Sequence, residues 1–128
     1  MSPDKARDAL VDLAQETAEH LETQGWAASS APLVGECGSD GHVNWGYFYA
    51  TSALGDDRTA DTERVAELWR AKGLEVRLGA GQVPAVFATG GPVDAISFTA
   101  GPATYTIAGT SLCVPGDLSK IIDEDYVD

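Results

Sequence analysis

Residues 42–54 read HVNWGYFYATSAL, and their side chains alternate with a period of two, which is the pattern of a β-strand. One face of this strand carries Val43, Trp45, Tyr47, Tyr49 and Thr51, and the other carries Asn44, Gly46, Phe48, Ala50 and Ser52. Because one face of a sheet must pack against helices, the face with Trp45 is predicted to lie in the core. The alternative is that this face is exposed and that its aromatic rings bind a partner.

An amphipathic helix is predicted before this strand. Ser2 is a favourable N-cap, Pro3 suits the first helical position, and Gly25 is a natural stop signal. The apolar stripe of the helix consists of Leu10, Leu13, Ala14, Thr17, Ala18 and Leu21. Its solvated face consists of Asp8, Asp12, Glu16, Glu19 and Glu22. Between helix and strand, Leu33–Cys37 is predicted as a short additional strand.

The second half of the chain is predicted to be mostly β-structure. A turn at Gly55–Asp57 leads into a second helix, which starts at Thr59 or Asp61 and ends near Lys72. Turn residues then separate predicted strands at residues 74–78, 85–89, 93–99 and 103–108. The acidic segment 117–128 is predicted as either a terminal strand or a frayed end. The order α-β-α-β-β-β-β predicts one α+β domain over residues 1–128, a two-layer sandwich whose mainly antiparallel sheet of about four to six strands is packed by two helices.

The composition is that of a small, strongly acidic globular protein. The 128 residues include 20 Asp and Glu against 8 Lys and Arg, which gives a formal net charge of −12. Nucleic-acid binding through phosphate contacts is therefore excluded, because it requires clustered Lys and Arg. The apolar runs are too short to span a bilayer. An acidic surface predicts fast, salt-sensitive association with a basic partner, unless the acidity reflects only a high-salt habitat.

The two cysteines, Cys37 and Cys113, lie far apart in the sequence, which excludes CxxC redox and zinc-ribbon patterns. Both lie where predicted strands enter or leave the sheet, so a disulfide is predicted, with two separate buried thiols as the alternative. The bridge would stabilise the fold by about 4 kcal/mol. It would also indicate export, with a signal peptide or lipoprotein signal removed from the chain before Met1, whereas a cytoplasmic protein that starts at Met1 is the alternative.

No catalytic or metal-binding motif stands out. The cluster Cys37, Ser39, Asp40 and His42 holds suitable residue types for a Cys-His nucleophile, but a disulfide would remove the thiolate. The segments Gly79–Gly81 and Gly109–Cys113 lack the helix that a dinucleotide loop or a nucleophile elbow requires. The acidic groups Asp56, Asp57, Asp61, Asp123, Glu124, Asp125 and Asp128 do not follow the spacing of a calcium loop. His20 stands among acids without a second His or Cys, so no metal and no cofactor are predicted.

Three segments resemble small exported proteins and lipoproteins of high-GC Gram-positive bacteria. They are the leading helix Arg7–Leu21, the aromatic strand Trp45–Tyr49 and the ending Tyr105–Gly116. The resemblance implies an extracytoplasmic location and a non-enzymatic role. Small acidic domains of this kind also include immunity proteins, which neutralise a basic toxin by covering its active site.

The sequence therefore predicts a non-enzymatic, extracytoplasmic binding domain, either a lipoprotein or an immunity protein, whose partner is a protein with a basic surface. The candidate contact residues are Trp45, Tyr47, Tyr49, Asp56, Asp57 and Asp61. The alternative is a small hydrolase or a small-ligand binder with a pocket near Cys37, Asp40 and His42.

Overall fold

Three helices and eight strands form in the part of the chain that the computed structural model describes, residues 1–21, 23–79 and 81–126. The helices are α1 (Pro3–His20), α2 (Arg58–Ala71) and α3 (Leu118–Tyr126). The strands are β1 (Ala27–Ala28), β2 (Leu33–Glu36), β3 (His42–Thr51), β4 (Glu75–Leu78), β5 (Ala85–Gly90), β6 (Val93–Ala100), β7 (Tyr105–Ser111) and β8 (Val114–Pro115). The predicted α+β class is confirmed.

All strands join one antiparallel sheet in the order β1-β3-β7-β6-β5-β4, and β2 and β8 pair with β3 as well. The sheet is thus larger than the predicted four to six strands. The difference arises because β1 and β8 have two residues each, which is too short for alternation to be visible in the sequence. Both extend the pairing of β3, which is the long aromatic strand at residues 42–51.

The third helix, α3, corrects the prediction of a terminal strand or a frayed end for residues 117–126, while residues 127 and 128 lie outside the described part of the chain. The Asp117 carboxylate accepts hydrogen bonds from the backbone N–H groups of Ser119 and Lys120, at 3.0 and 3.4 Å, and so caps the helix. Ile121 packs beside Ala6 and Val43 in a small apolar cluster. Asp117 is a favourable N-cap in the sequence, but the acidic residues after Ile122 favoured the interpretation of this segment as a frayed end.

Helices α1 and α2 cover one face of the sheet and bury the core. Its largest fully buried side chains include Trp45, Trp69, Tyr105, Phe98, Leu10 and Ile107. Polar atoms within this core are paired: Trp69 Nε1 donates to Thr17 Oγ1 at 2.9 Å, and Thr17 Oγ1 donates to the Leu13 carbonyl at 2.6 Å. Trp45 Nε1 donates to the Pro3 carbonyl at 3.0 Å. These bonds fix the rotation of both helices on the sheet, because an unpaired buried donor would be costly.

The predicted disulfide is confirmed. Cys37 follows β2 and Cys113 lies between β7 and β8, with their Cα atoms 5.9 Å apart. The bridge therefore joins two segments that flank opposite edges of β3. Neither cysteine is free.

Candidate functional site

The face of the sheet opposite α1 and α2, called here the open face, is crossed by one row of directly paired residues. Arg77 pairs with Phe87, Phe87 with Ser97, Ser97 with Ala108, and Ala108 with Phe48. Cross-strand partners point to the same side of a sheet, so these five side chains share the open face. The row runs across strands β4, β5, β6, β7 and β3.

A second row lies beside the first, and its four central residues have small side chains. It consists of Glu75, Thr89, Ala95, Thr110, Gly46 and Leu33, each paired with the next. The two rows, apart from Leu33, form the floor of an open depression of about 690 Å³, here called the trough. Its volume falls in the range of about 300–1,000 Å³ that is usual for small-molecule sites.

Two exposed phenylalanines bound the trough. The Phe48 side chain is 55% exposed and the Phe87 side chain 39%, which is unusual for rings on an ordered sheet. Three strand spacings of about 4.8 Å separate their strands, so about 14 Å lies between them. Because Ser97 and Ala108 between them are small, a bound group can approach the backbone closely. The arrangement is a flat, mostly apolar floor with an aromatic wall at each side.

The trough is nearly uncharged, in a protein of net charge −12. Among the residues that line it, Glu75 and Arg77 carry charge. The Arg77 guanidinium lies over the Phe87 ring, 4.9 Å from its centroid. The opposite side of the molecule is different, because α1 presents exposed acids at Asp8 and Asp12. The two sides are therefore suited to different partners.

The aromatic residues that the sequence singled out lie on the helical side. Trp45 is 1% exposed and Tyr47 is 7% exposed, so both belong to the core and are corrected as contact residues for a partner. Burial, with the neighbouring Tyr49 as a second cause, raises the pKa of the Tyr47 hydroxyl. Tyr49 is half-buried and stacks on Trp26, with ring centroids 5.5 Å apart. The core interpretation of this strand face is the correct one.

The predicted acidic contacts are divided between surface and core. Asp56 and Asp57 are exposed, and the Asp57 carboxylate caps α2 by accepting from the Ala60 backbone N–H at 3.0 Å. Asp61 is 5% exposed and accepts a hydrogen bond from the Tyr105 hydroxyl at 2.7 Å. Asp61 is therefore corrected as a contact residue, because its role is to hold α2 against β7.

The predicted pocket near Cys37, Asp40 and His42 lacks the side-chain contacts that a Cys-His nucleophile requires. The Cys37 sulfur is bound in the disulfide and offers no thiolate. His42 Nδ1 lies 3.3 Å from Ser39 Oγ and 3.4 Å from the Asp40 carbonyl oxygen, so its contact with Asp40 is through the backbone. The cleft beside His42 measures about 200 Å³, below the usual size of a ligand site.

The two Gly-rich segments lie in a turn and in a strand, and the acidic groups of the C-terminal segment lie partly outside the described residues. Gly79 donates its backbone N–H to the Ala85 carbonyl at 2.8 Å, within the turn between β4 and β5, while Ala80 lies outside the described residues. Gly109 and Ser111 belong to β7, as the strand interpretation predicts. Asp128 and the side chains of Asp123, Glu124 and Asp125 lie outside the described part. Within that part, no group of three or more His, Cys, Asp or Glu could hold a metal ion.

The fold is similar to that of a DUF4853 family protein from Actinomyces odontolyticus ATCC 17982, whose crystal structure was determined at 2.65 Å resolution. The likeness has a TM-score of 0.55 and covers 88% of this chain and 63% of that chain, at 15% sequence identity. At this identity it shows a shared fold alone. Actinomyces is a high-GC Gram-positive genus, and the resemblance stated from the sequence was to proteins of such bacteria.

No protein-family model matches the chain, and no curated protein matches it significantly. Among the described helices, none has the length and apolar character needed to cross a membrane.

Proposed function

We propose that this protein is a non-enzymatic, extracytoplasmic binding domain that holds its ligand in the trough on the open face of the sheet. The observation that carries the proposal is the pair of exposed rings, Phe48 and Phe87, on either side of the small uncharged residues Ser97 and Ala108. Aromatic side chains around a mostly apolar depression are a common feature of small-molecule sites. The sheet is rigid enough to keep the two rings at a fixed spacing, because helices cover its other face.

The extracytoplasmic location is supported by the Cys37–Cys113 bridge, since stable disulfides belong to oxidising compartments. A cell-envelope lipoprotein, with its lipid anchor on a segment ahead of residue 1, is one form that this proposal takes. An immunity protein belongs instead to the second candidate function below, because its partner would be a basic toxin. In either case the domain acts by holding a partner and not by transforming it.

A second candidate function is the binding of a basic protein along α1. Its exposed acids include Asp4, Asp8, Asp12, Glu16 and Glu19, spaced mainly four residues apart along one side of the helix. Like charges at this spacing destabilise a helix, so their presence favours a role in binding. Arg7 and Lys72 neutralise part of the row through ion pairs. Such binding would weaken steeply with salt, whereas binding of a neutral ligand in the trough would not.

The neutral fluorescent probe N-phenyl-1-naphthylamine tests the trough directly. We expect the wild-type protein to bind it with a large gain in fluorescence, and the double variant Phe48→Ser/Phe87→Ser to bind it at least about tenfold more weakly, because apolar contact with two rings is lost. Ile122→Ser is the matched control, because Ile122 is similarly exposed but lies on α3.

Binding that survives the double substitution, or that falls equally in Ile122→Ser, would contradict the proposal. Circular dichroism and thermal unfolding of all variants exclude misfolding as a cause, since both phenylalanines are exposed and their replacement leaves no cavity in the core. The same titration at high salt should give an unchanged affinity, because the probe is neutral and salt screens only interactions between charges.

A further inference from the structure

We propose that the ligand of the trough is an amphiphile with an acidic head group and an apolar tail, and that Arg77 binds the head group. This inference rests on the proposed function, because it assigns a chemical class to the occupant of the same site. This ligand is a monomeric small molecule, and three features of the trough support its chemical class.

The first feature is the state of Arg77. Its guanidinium is held against the Phe87 ring, and among the described residues its side chain takes part in no ion pair or hydrogen bond. By contrast, Arg7, Arg64 and Lys72 all pair with carboxylates. A guanidinium has five N–H donors in a planar fork that matches a carboxylate or a phosphate. Stacking on Phe87 leaves the edges of this fork available at one wall of the trough.

The second feature is the apolar floor beyond Arg77. From Phe87 the row continues over Ser97 and Ala108 to Phe48, a distance of about 14 Å in which no charged side chain occurs. An extended alkyl chain that starts at Arg77 would lie across these strands and end against the Phe48 ring. Such a chain buries apolar surface on both partners, which is the main source of affinity in sites of this kind.

The third feature is the distribution of charge around the site. The many carboxylates of the protein would repel an acidic ligand, but those of α1 lie beyond the sheet, at least about 10 Å from the open face. The Debye length is about 8 Å at physiological ionic strength, so their repulsion is largely screened. Among the described residues that line the trough, Glu75, on the same face as Arg77, is the one acid. Arg77 is the charged group of this lining that attracts an acidic head group, and Glu75 opposes it.

Isothermal titration with three soluble probes tests this inference. Decanoate carries both the acidic head and the tail, butyrate carries the head with a short tail, and decyltrimethylammonium carries the tail with the opposite charge. We expect decanoate to bind the wild-type protein in the trough most tightly. Butyrate should bind weakly because it buries little apolar surface, and decyltrimethylammonium should bind at least about tenfold more weakly than decanoate.

Variants of the two charged residues provide the specific test. Arg77→Gln should weaken decanoate binding about tenfold, the effect of losing one charge-assisted contact at an exposed site, and Arg77→Lys should restore part of it. Glu75→Gln should strengthen decanoate binding and weaken that of the cationic probe. Arg70→Gln, an exposed arginine on α2, is the control and should leave both unchanged.

Equal binding of decanoate and decyltrimethylammonium, or an unchanged affinity in Arg77→Gln, would overturn the assignment of an acidic ligand. In that case, retained binding of the neutral probe N-phenyl-1-naphthylamine would show that the trough still binds apolar molecules and that only the ligand class was wrong. Loss of all binding, including that of the neutral probe, would instead contradict the proposed function itself.

Discussion

Replacing Cys37 and Cys113 together by alanine is expected to lower the free energy of unfolding by about 4 kcal/mol. The bridge closes a loop that contains α2, β3 and the four strands β4 to β7. Without it the unfolded chain gains the conformational freedom that this long loop had lost. Because domains of this size are stable by only about 5–15 kcal/mol, the loss is a large fraction of the total.

Urea unfolding followed by tryptophan fluorescence measures this effect, since Trp45 and Trp69 are fully buried. Adding a thiol reductant should destabilise the wild-type protein to a similar degree and leave the double variant unchanged. A variant as stable as the oxidised wild type would show that the bridge contributes nothing. Alkylation and mass measurement before reduction should detect no free thiol.

Tyr105→Phe is expected to lower the free energy of unfolding by about 1–3 kcal/mol. The Tyr105 hydroxyl donates to Asp61 Oδ2 at 2.7 Å, and its removal leaves that buried carboxylate oxygen without this donor. The remaining ion pair of Asp61 with Arg64, at 3.6 Å, reaches only Oδ1. Tyr49→Phe is the matched control, because Tyr49 is only half-buried, and its loss of a hydroxyl should change stability by less than about 0.5 kcal/mol.

The hydrogen bond between Tyr105 and Asp61 also makes the free energy of unfolding depend on pH. Burial, and then the hydrogen bond and charge of Asp61, raise the pKa of Tyr105 to about 12 from its ordinary value of 10.0. The folded state therefore holds this proton more tightly than the unfolded state does. Its contribution to stability is complete below pH 10.0 and is lost as the pH rises toward about 12. The stability difference between wild type and Tyr105→Phe should shrink over this range, and a difference that grows there would contradict the assignment.

Much of the fold could be predicted because a few residues are enough to indicate each of these elements. The alternation in β3 correctly separates buried Val43, Trp45 and Tyr47 from exposed Phe48. The cap at Ser2 and the apolar stripe from Leu10 define α1, whose N-cap is indeed Ser2. Two cysteines at strand ends were sufficient for the disulfide. Each of these signals lies within a short stretch of sequence or requires only one pairing.

The trough could not be predicted because its parts are brought together by strand register. Phe48 and Phe87 lie far apart in the sequence, and they share a surface only through the pairings with Ser97 and Ala108. Small residues such as these give no local signal of a binding site. The exposed position of Phe48 could be read from the alternation, but its counterpart Phe87 could not. The aromatic residues of β3 made Trp45 a candidate contact residue, although it lies on the buried face of the strand.

The open face can be tested most directly by mapping amide chemical shifts in ¹⁵N-labelled protein as N-phenyl-1-naphthylamine is added. We expect the largest shift changes at Gly46, Ser97, Ala108 and Thr110 and around both phenylalanines, and no change at the outward-facing residues of α1 and α2. Shifts confined to the exposed side of α1, or to the turn between Ser39 and His42, would contradict the assignment of the open face as the binding surface.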